Sequence, residues 1–232
     1  FSSMFFGKYA MLACYSMYLL GIVIAILTAY IISKIDGSKA EHALLIELPE
    51  YKAPNARTIA VYVWEKVKDY LTKAGTVIFF ASIVMWLLLN VGPSGFVTDI
   101  TESFGAVIGK AIVPFFRPLG LGYWQIVVAL ISGIAAKEVV VSSCSVLFGI
   151  QNITTAHGMD SFVATLGAMG FGAANAYALM VFCLLYVPCT ATIATIRREV
   201  GSTKTTAGIV LFQLAVAWVV SFLAFHVAGL FL

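Results

Sequence analysis

Cys189 follows Pro188 inside an uncharged run that reaches from Ser161 to Ile196, and Thr190 and Thr192 lie close behind it. Proline has no N–H and its ring crowds the preceding turn, so a helix cannot pass Pro188 with its hydrogen bonds intact. In a bilayer, loosened backbone is tolerated only where it is buried in protein or lines a polar cavity. Broken helices near the midplane are also where transporters place ion and substrate sites. A thiolate selects soft or borderline metals. The stretch therefore predicts a binding site at Cys189 for something soft. The alternative is an ordinary small buried cysteine.

Lys137 and Glu138 interrupt the hydrophobic segment 123–150. An ionisable side chain within a transmembrane segment is costly and is a functional candidate by default. If 138–146 is helical, Glu138, Ser142 and Ser145 share a stripe at i, i+4 and i+7. A carboxylate with hydroxyls on one face suits cation coordination or proton relay. Alternatively, Lys137 and Glu138 lie near an aqueous end or cap a break in the helix. Cys144 and Cys183 fall on other faces, and with Cys14 they read as packing residues. His226, inside the last span, reads as a packed imidazole. No CxxC spacing occurs, so neither a zinc knuckle nor a disulfide framework is indicated. GxxxxGK[ST], HExxH and a Ser/His/Asp-like set are absent too, which removes nucleotide binding by a phosphate loop and gives no support to a protease.

The elements that must position these residues are membrane helices. Only 11% of the 232 residues are charged, against about 25% in a soluble domain. Charge-free runs cover residues 9–33, 74–98, 118–136, 161–196 and 205–232. Each is about long enough to span the roughly 30 Å hydrocarbon core as a helix. Strand alternation is absent. The expected fold is all-α and integral to the membrane, a polytopic bundle with broken or re-entrant helices and one amphipathic interfacial helix. The net charge of +3 says little about partners, and nothing points to nucleic acid.

Residues 34–73 form the long polar stretch, with Lys34, Lys39, Arg57, Lys66, Lys68 and Lys73 among its basic residues. The positive-inside rule places it, and the cluster Arg197, Arg198 and Lys204, in the cytoplasm. Pro54-Asn55 predicts a helix start, followed by an amphipathic helix lying in the membrane surface. Segment 104–116 is too short to cross and reads as interfacial or re-entrant. Gly167, Gly170 and Gly172 predict a broken start to the next span, with the true helix running from about Ala173. An even number of crossings must separate Lys73 from Arg197, yet 74–91, 123–150 and 173–196 make three. Either 161–172 crosses with help, or 123–150 is a hairpin or broken helix. The chain starts at Phe1 without a signal peptide's basic n-region and cleavage site, which suggests part of a longer polypeptide.

Ile134-Ala135-Ala136-Lys137-Glu138-Val139-Val140-Val141, then 185–194 (Leu-Tyr-Val-Pro-Cys-Thr-Ala-Thr-Ile-Ala), then Arg197-Arg198-Glu199 resemble the C-terminal half of the ferrous iron transport protein B family. Residues 47–54, Trp64–Lys68 and Lys73–Thr76 resemble that family's cytoplasmic segment between its two gate regions. The resemblance runs almost end to end and in order. It implies a multi-pass Fe²⁺ permease of a bacterial or archaeal cytoplasmic membrane, with an N-terminal GTPase that uses GTP and Mg²⁺. This chain would hold the end of the first gate (1–34), the linking segment (35–73), and the second gate with the last spans (74–232). It would not itself be an enzyme. Its partners would be Fe²⁺, the lipid bilayer, the GTPase, the first gate and possible further copies of itself. Cys189 falls on the second gate's Pro-Cys position and Glu138 on its Lys-Glu motif. Both are candidate metal ligands, and Pro188, Lys137, Ser142 and Thr192 are gate candidates. The GTPase and most of the first gate are missing from the chain, and Cys144 stands where the family's pattern requires no thiol. A nucleoside-like solute transporter and a non-transporting membrane assembly module are the competing readings.

Overall fold

The computed structural model describes residues 2–36, 55–93, 95–97, 99–134, 137, 139–150 and 155–231. The expected motif at 47–54 and the ligand candidate Glu138 lie outside the described residues.

A short helix α1 (Ser2–Phe6) leads into α2 (Ala10–Asp36), and α3 (Ala56–Asn90) follows. As expected at Pro54-Asn55, Asn55 caps α3, its side chain accepting from the Arg57 N–H at 3.0 Å. The structure does not separate an interfacial helix from the next span. Residues 59–71 and the uncharged stretch from Ala74 to Asn90 are one 35-residue helix, so the domain boundary expected at 73/74 falls inside an element. Lys73 carries charge but breaks no backbone hydrogen bond, and a lone glycine, Gly75, costs a helix only about 1 kcal/mol. A two-residue antiparallel pairing, Val91–Gly92 with Gly95–Phe96, closes the turn after α3.

Two bent pairs come next. Helix α4 (Phe104–Phe116), extended by a 3₁₀ turn to Leu119, meets α5 (Trp124–Ser132) at 101°. After α6 (Val139–Leu147), helix α7 (Ala156–Ala168) meets α8 (Ala173–Leu185) at 107°. The start of α8 at Ala173 is where the glycine pattern puts it. Both bends use the same device. Gly120 and Gly170 take positive φ, +71° and +83°, which glycine adopts without steric cost. Each N–H bonds back to the carbonyl three residues earlier, at Arg117 and Gly167, and the next residue's N–H reaches one residue further back, to Phe116 and Leu166. This is the left-handed helix stop that satisfies orphan carbonyls. The apolar residues that follow, Leu121 and Phe171, are buried. The bends also tie to each other. Tyr123 Oη donates to the Met169 carbonyl at 2.8 Å and Asn175 Nδ2 to the Gly120 carbonyl at 2.7 Å.

Segment 124–147 is a helical hairpin. Helices α5 and α6 have nine residues each, about 14 Å, and they pack side by side. The chain therefore turns back within the bundle. Past the break after α8, the chain continues as α9 (Thr190–Val200) to the basic cluster. The last helix, α10 (Thr203–Phe231), packs along α8. Ser221 donates to the Ala178 carbonyl at 2.7 Å and Trp218 Nε1 to the Phe115 carbonyl at 3.0 Å. Phe225 lies against Gly120, 22 residues from the start of α10, or about 33 Å. The bends thus sit one bilayer thickness from Lys204. Among the described residues, α10 and the α1–α2 stretch are long and apolar enough to cross a membrane alone.

The core joins these parts around Phe116, Phe162, Phe171 and Phe182. Its floor is Gly133, at the turn of the hairpin. A Cβ there would collide with Tyr186 Oη and Val140 Cγ2. Overpacking of a tight core site costs about 1–3 kcal/mol, so Gly133→Ala is expected to lower the Tm of the detergent-purified full-length protein. An unchanged Tm would show that the two segments are not in this close contact.

Candidate functional site

Two breaks face one another inside the bundle, one between α5 and α6, described at Gly133, Ile134 and Lys137, and one at 186–189 between α8 and α9. The second follows from Pro188. Helix α8 makes its last bond from the Tyr186 N–H to the Phe182 carbonyl, at 2.8 Å. Pro188 offers no N–H to the Leu184 carbonyl four residues back. The chain then runs extended through Tyr186 (ψ −179°) to Cys189 (ψ 155°), which occupies the N-cap position of α9. Because α9 starts afresh at Thr190, that residue's N–H no longer bonds Tyr186.

Each group released in this way finds a partner on the other break. The Thr190 N–H donates to the Ile134 carbonyl at 3.0 Å. Lys137 Nζ donates to the Leu184 carbonyl at 3.3 Å and to the Tyr186 carbonyl at 3.5 Å. The same ammonium lies 5.1 Å from the centre of the Tyr186 ring, within cation–π range. The half-buried Lys137 is thus the counterpart of the missing proline N–H. Pro188 and its i−4 relation to Leu184 were the signal for this role, and neither the sequence pattern around Lys137 nor its charge alone reveals it.

Cys189 is half-buried, and its Sγ lies 3.2 Å from Thr192 Oγ1 in a hydrogen bond. Thr190 Oγ1, which sequence reasoning passed over as a mere flank, is buried with no hydrogen-bond partner among the described residues. The serine stripe on α6 is divided. Ser142 is exposed, while the buried Ser145 donates its hydroxyl to the Ile150 carbonyl just past the helix end. Ser145 therefore does structural work, and Ser142 points to the protein's surface. Cys144 is fully buried in the core and Cys183 packs against it, whereas Cys14 is exposed on α2. His226 sits against the Phe222 ring at 4.2 Å with Nδ1 2.9 Å from the Phe222 carbonyl. Among the described residues no three His, Cys, Asp or Glu side chains gather as a metal cage. Among the described residues, the breaks present the Lys137 ammonium, the Cys189 thiol, the Tyr186 and Thr190 hydroxyls, the Thr192 hydroxyl in the first turn of α9, and unwound carbonyls.

Comparison with known proteins bears directly on these features. The gate family, described as nucleoside recognition, matches residues 71–203, which include both breaks and both bends. The family described as the ferrous iron transport protein B C terminus matches residues 14–66. The Fe(2+) transporter FeoB of Staphylococcus aureus (strain MSSA476) is 36% identical over 231 residues, covering all of this chain and 34% of that protein. The Fe(2+) transporter FeoB of Methanocaldococcus jannaschii is 38% identical over 229 residues, covering 95% of this chain and 33% of its own length. A fusion of Fe(2+) transport protein A with FeoB from Porphyromonas gingivalis is 30% identical over 272 residues, covering 98% of this chain and 32% of the fusion. No solved structure matches the chain. The chain spans about a third of the length of the curated relatives it matches. With identity running end to end and a gate domain over more than half its length, the chain belongs to the ferrous iron transport protein B family, as the C-terminal part of its membrane region.

Proposed function

We propose that this chain is the membrane part of a ferrous iron uptake permease and that Fe²⁺ passes the two facing breaks. The observation that carries this reading is the pair of interruptions whose backbone groups bond across to each other, with Cys189 at the N-cap of one and Lys137 on the other. Unwound backbone at bundle depth is where transporters coordinate ions. Fe²⁺ is borderline in softness, so a thiolate helped by oxygen donors can compete with water for it and still release it. In this reading Cys189 is the soft ligand, Glu138 supplies a carboxylate, and Thr192 orients the thiol. Ligands of this kind bind Zn²⁺ or Cu²⁺ at least as well, so selectivity comes from geometry and metal supply.

The rest of the machinery belongs to the part of the protein outside this chain. A GTPase domain with GTP and Mg²⁺, and a first gate with its own Cys-containing motif, would complete the transporter in a bacterial or archaeal cytoplasmic membrane. The named activity of the relatives supports Fe²⁺ as cargo. The gate family's description raises a nucleoside-like solute instead. Among the described residues of the two breaks, 133, 134, 137 and 186–189, none carries an amide side chain for such a solute. Asn175 stands at the opposite end of α8, where it bonds Gly172 N–H and the Gly120 carbonyl.

Two substitutions in the full-length transporter test the reading. Cys189→Ser is expected to reduce Fe²⁺ uptake by about tenfold or more, the scale on which metal sites respond to altered ligation, with Tm unchanged. Undiminished uptake would remove Cys189 from the path. Pro188→Ala returns an N–H to Leu184 and lets α8 run on, so it is expected to keep or raise Tm while uptake falls. Normal uptake in that variant would show that the break is not needed for transport. Stabilisation by nucleosides rather than by divalent metal would favour the organic solute.

A further inference from the structure

We propose that the cavity beside the Gly120 bend is a headgroup site for an anionic phospholipid, with Lys110 and Arg117 as its phosphate ligands. The site is separate from the two breaks and does not depend on the metal path.

The cavity holds about 420 Å³, within the usual range for a small-ligand pocket of about 300–1,000 Å³. Helix α4 and the turn after it give it two cations, Lys110 and Arg117, and no Asp or Glu lines it among the described residues. Lys110 spends one donor on the Thr101 carbonyl at 3.1 Å, and its Nζ lies 5.8 Å from the centre of the Trp124 ring. An ammonium has two further donors to offer. Asp99, the acid that feels Lys110, is not among the cavity's walls. Hydrogen bonds from Thr101 and, less strongly, Lys110 hold its carboxyl below the usual carboxylate range. The Arg117 guanidinium makes no hydrogen bond or ion pair among the described residues. Its stem is nevertheless placed, because a Cβ at Gly122 would stand only 3.0 Å from Arg117 Cγ. Five donors on a positioned side chain are thus left for a ligand.

Depth argues for a lipid. Gly120 lies against Phe225, about 33 Å along α10 from its start, and both cations share that level. Arg117 is three residues before Gly120, and the Lys110 ammonium lies over the first residue of α5. Phosphates of a bilayer begin where its hydrocarbon core of about 30 Å ends, and Trp and Tyr collect there, as Tyr123 and Trp124 do on the cavity wall. The bond from Tyr123 to the Met169 carbonyl fixes that wall. Val113 and Met169 add apolar surface, and Val107, one turn before Lys110, is exposed. Such surface suits glycerol and acyl chains better than a hydrated free anion. Unpaired charges at membrane depth are costly, and a phosphodiester taking charge-assisted bonds from both side chains removes that cost. The same positive field repels Fe²⁺, so the cavity is not an entrance to the metal path.

Native mass spectrometry of the detergent-purified full-length transporter, titrated with phosphatidylglycerol or phosphatidylcholine, tests the site. Phosphatidylglycerol is expected to bind the parent about tenfold more tightly, the scale of a hydrogen bond to a charged group, because choline's own charge offsets its phosphate. Lys110→Gln combined with Arg117→Gln is expected to bring the two lipids to equal affinity. Gly122→Ala keeps every charge but pushes the Arg117 stem aside, so it is expected to lose part of the preference. Excess inorganic phosphate is expected to leave the lipid bound. Equal affinities in the parent, or a preference unchanged in the double variant, overturn the proposal. A full preference in Gly122→Ala also overturns it, since attraction to surface charge alone would then suffice. Displacement of phosphatidylglycerol by inorganic phosphate would make this a free-phosphate site and reject the lipid. If the double variant does not fold, Arg117→Gln decides alone, because its guanidinium holds no bond among the described residues whose loss would unfold the protein. An unchanged preference there rejects the site.

Discussion

The missing N–H of Pro188 is the constraint on which the rest of the bundle depends. In water, a carbonyl left without a donor would simply be solvated. In hydrocarbon it costs several kcal/mol unless protein supplies a partner. The chain supplies it from a second break. Lys137 answers for Leu184 and Tyr186, and the Ile134 carbonyl takes the Thr190 N–H that the new helix cannot use. Neither interruption is tolerable alone at that depth. Gly133 is the steric counterpart of this exchange, because only a residue without Cβ lets Tyr186 and Val140 close on the turn.

The opposite end of the same helices obeys a matching rule. Both α5 and α8 begin at a sharp bend after a left-handed glycine, and each bend donates a side-chain hydrogen bond to a carbonyl of the other. A segment that is Gly-Leu-Gly at 120–122 returns as Gly-Phe-Gly at 170–172. From each, a helix runs inward to an interruption. The first chain then turns back as α6, and the second runs on as α9 to the basic cluster. The two breaks therefore meet because the two bends are clamped. The helices between them act as struts that carry one register to the other.

Much of this could be read from residue order. The apolar runs named the membrane class, Pro188 named one break, the Lys137-Glu138 pair named the other, and the glycines at 167–172 located the start of α8. Three things could not be read in this way. The hairpin at 124–147 needed the packing of α5 on α6, since an apolar run broken by charge fits a hairpin and a kinked span equally well. The continuity of α3 was hidden because a change of amphipathicity was taken for a change of element, though helical backbone is indifferent to it. The role of Lys137 was hidden because the pairing joins residues 47 apart in the chain. A charge in an apolar run advertises that it has a partner, and only the fold shows that two backbone carbonyls are among the partners of Lys137.

The kind of partner that answers a break also matters. A proline break leaves its carbonyls in place, so whatever satisfies them must come from another element. Here a side chain, the Lys137 ammonium, reaches Leu184 and Tyr186, while backbone answers backbone where the Ile134 carbonyl takes the Thr190 N–H. A backbone partner fixes how closely the two breaks approach, whereas a flexible lysine stem tolerates small changes in that approach. Cys189, at the start of α9 and bonded to Thr192, lies in the chain between the two anchored residues Tyr186 and Thr190, so both anchors set where its thiol stands.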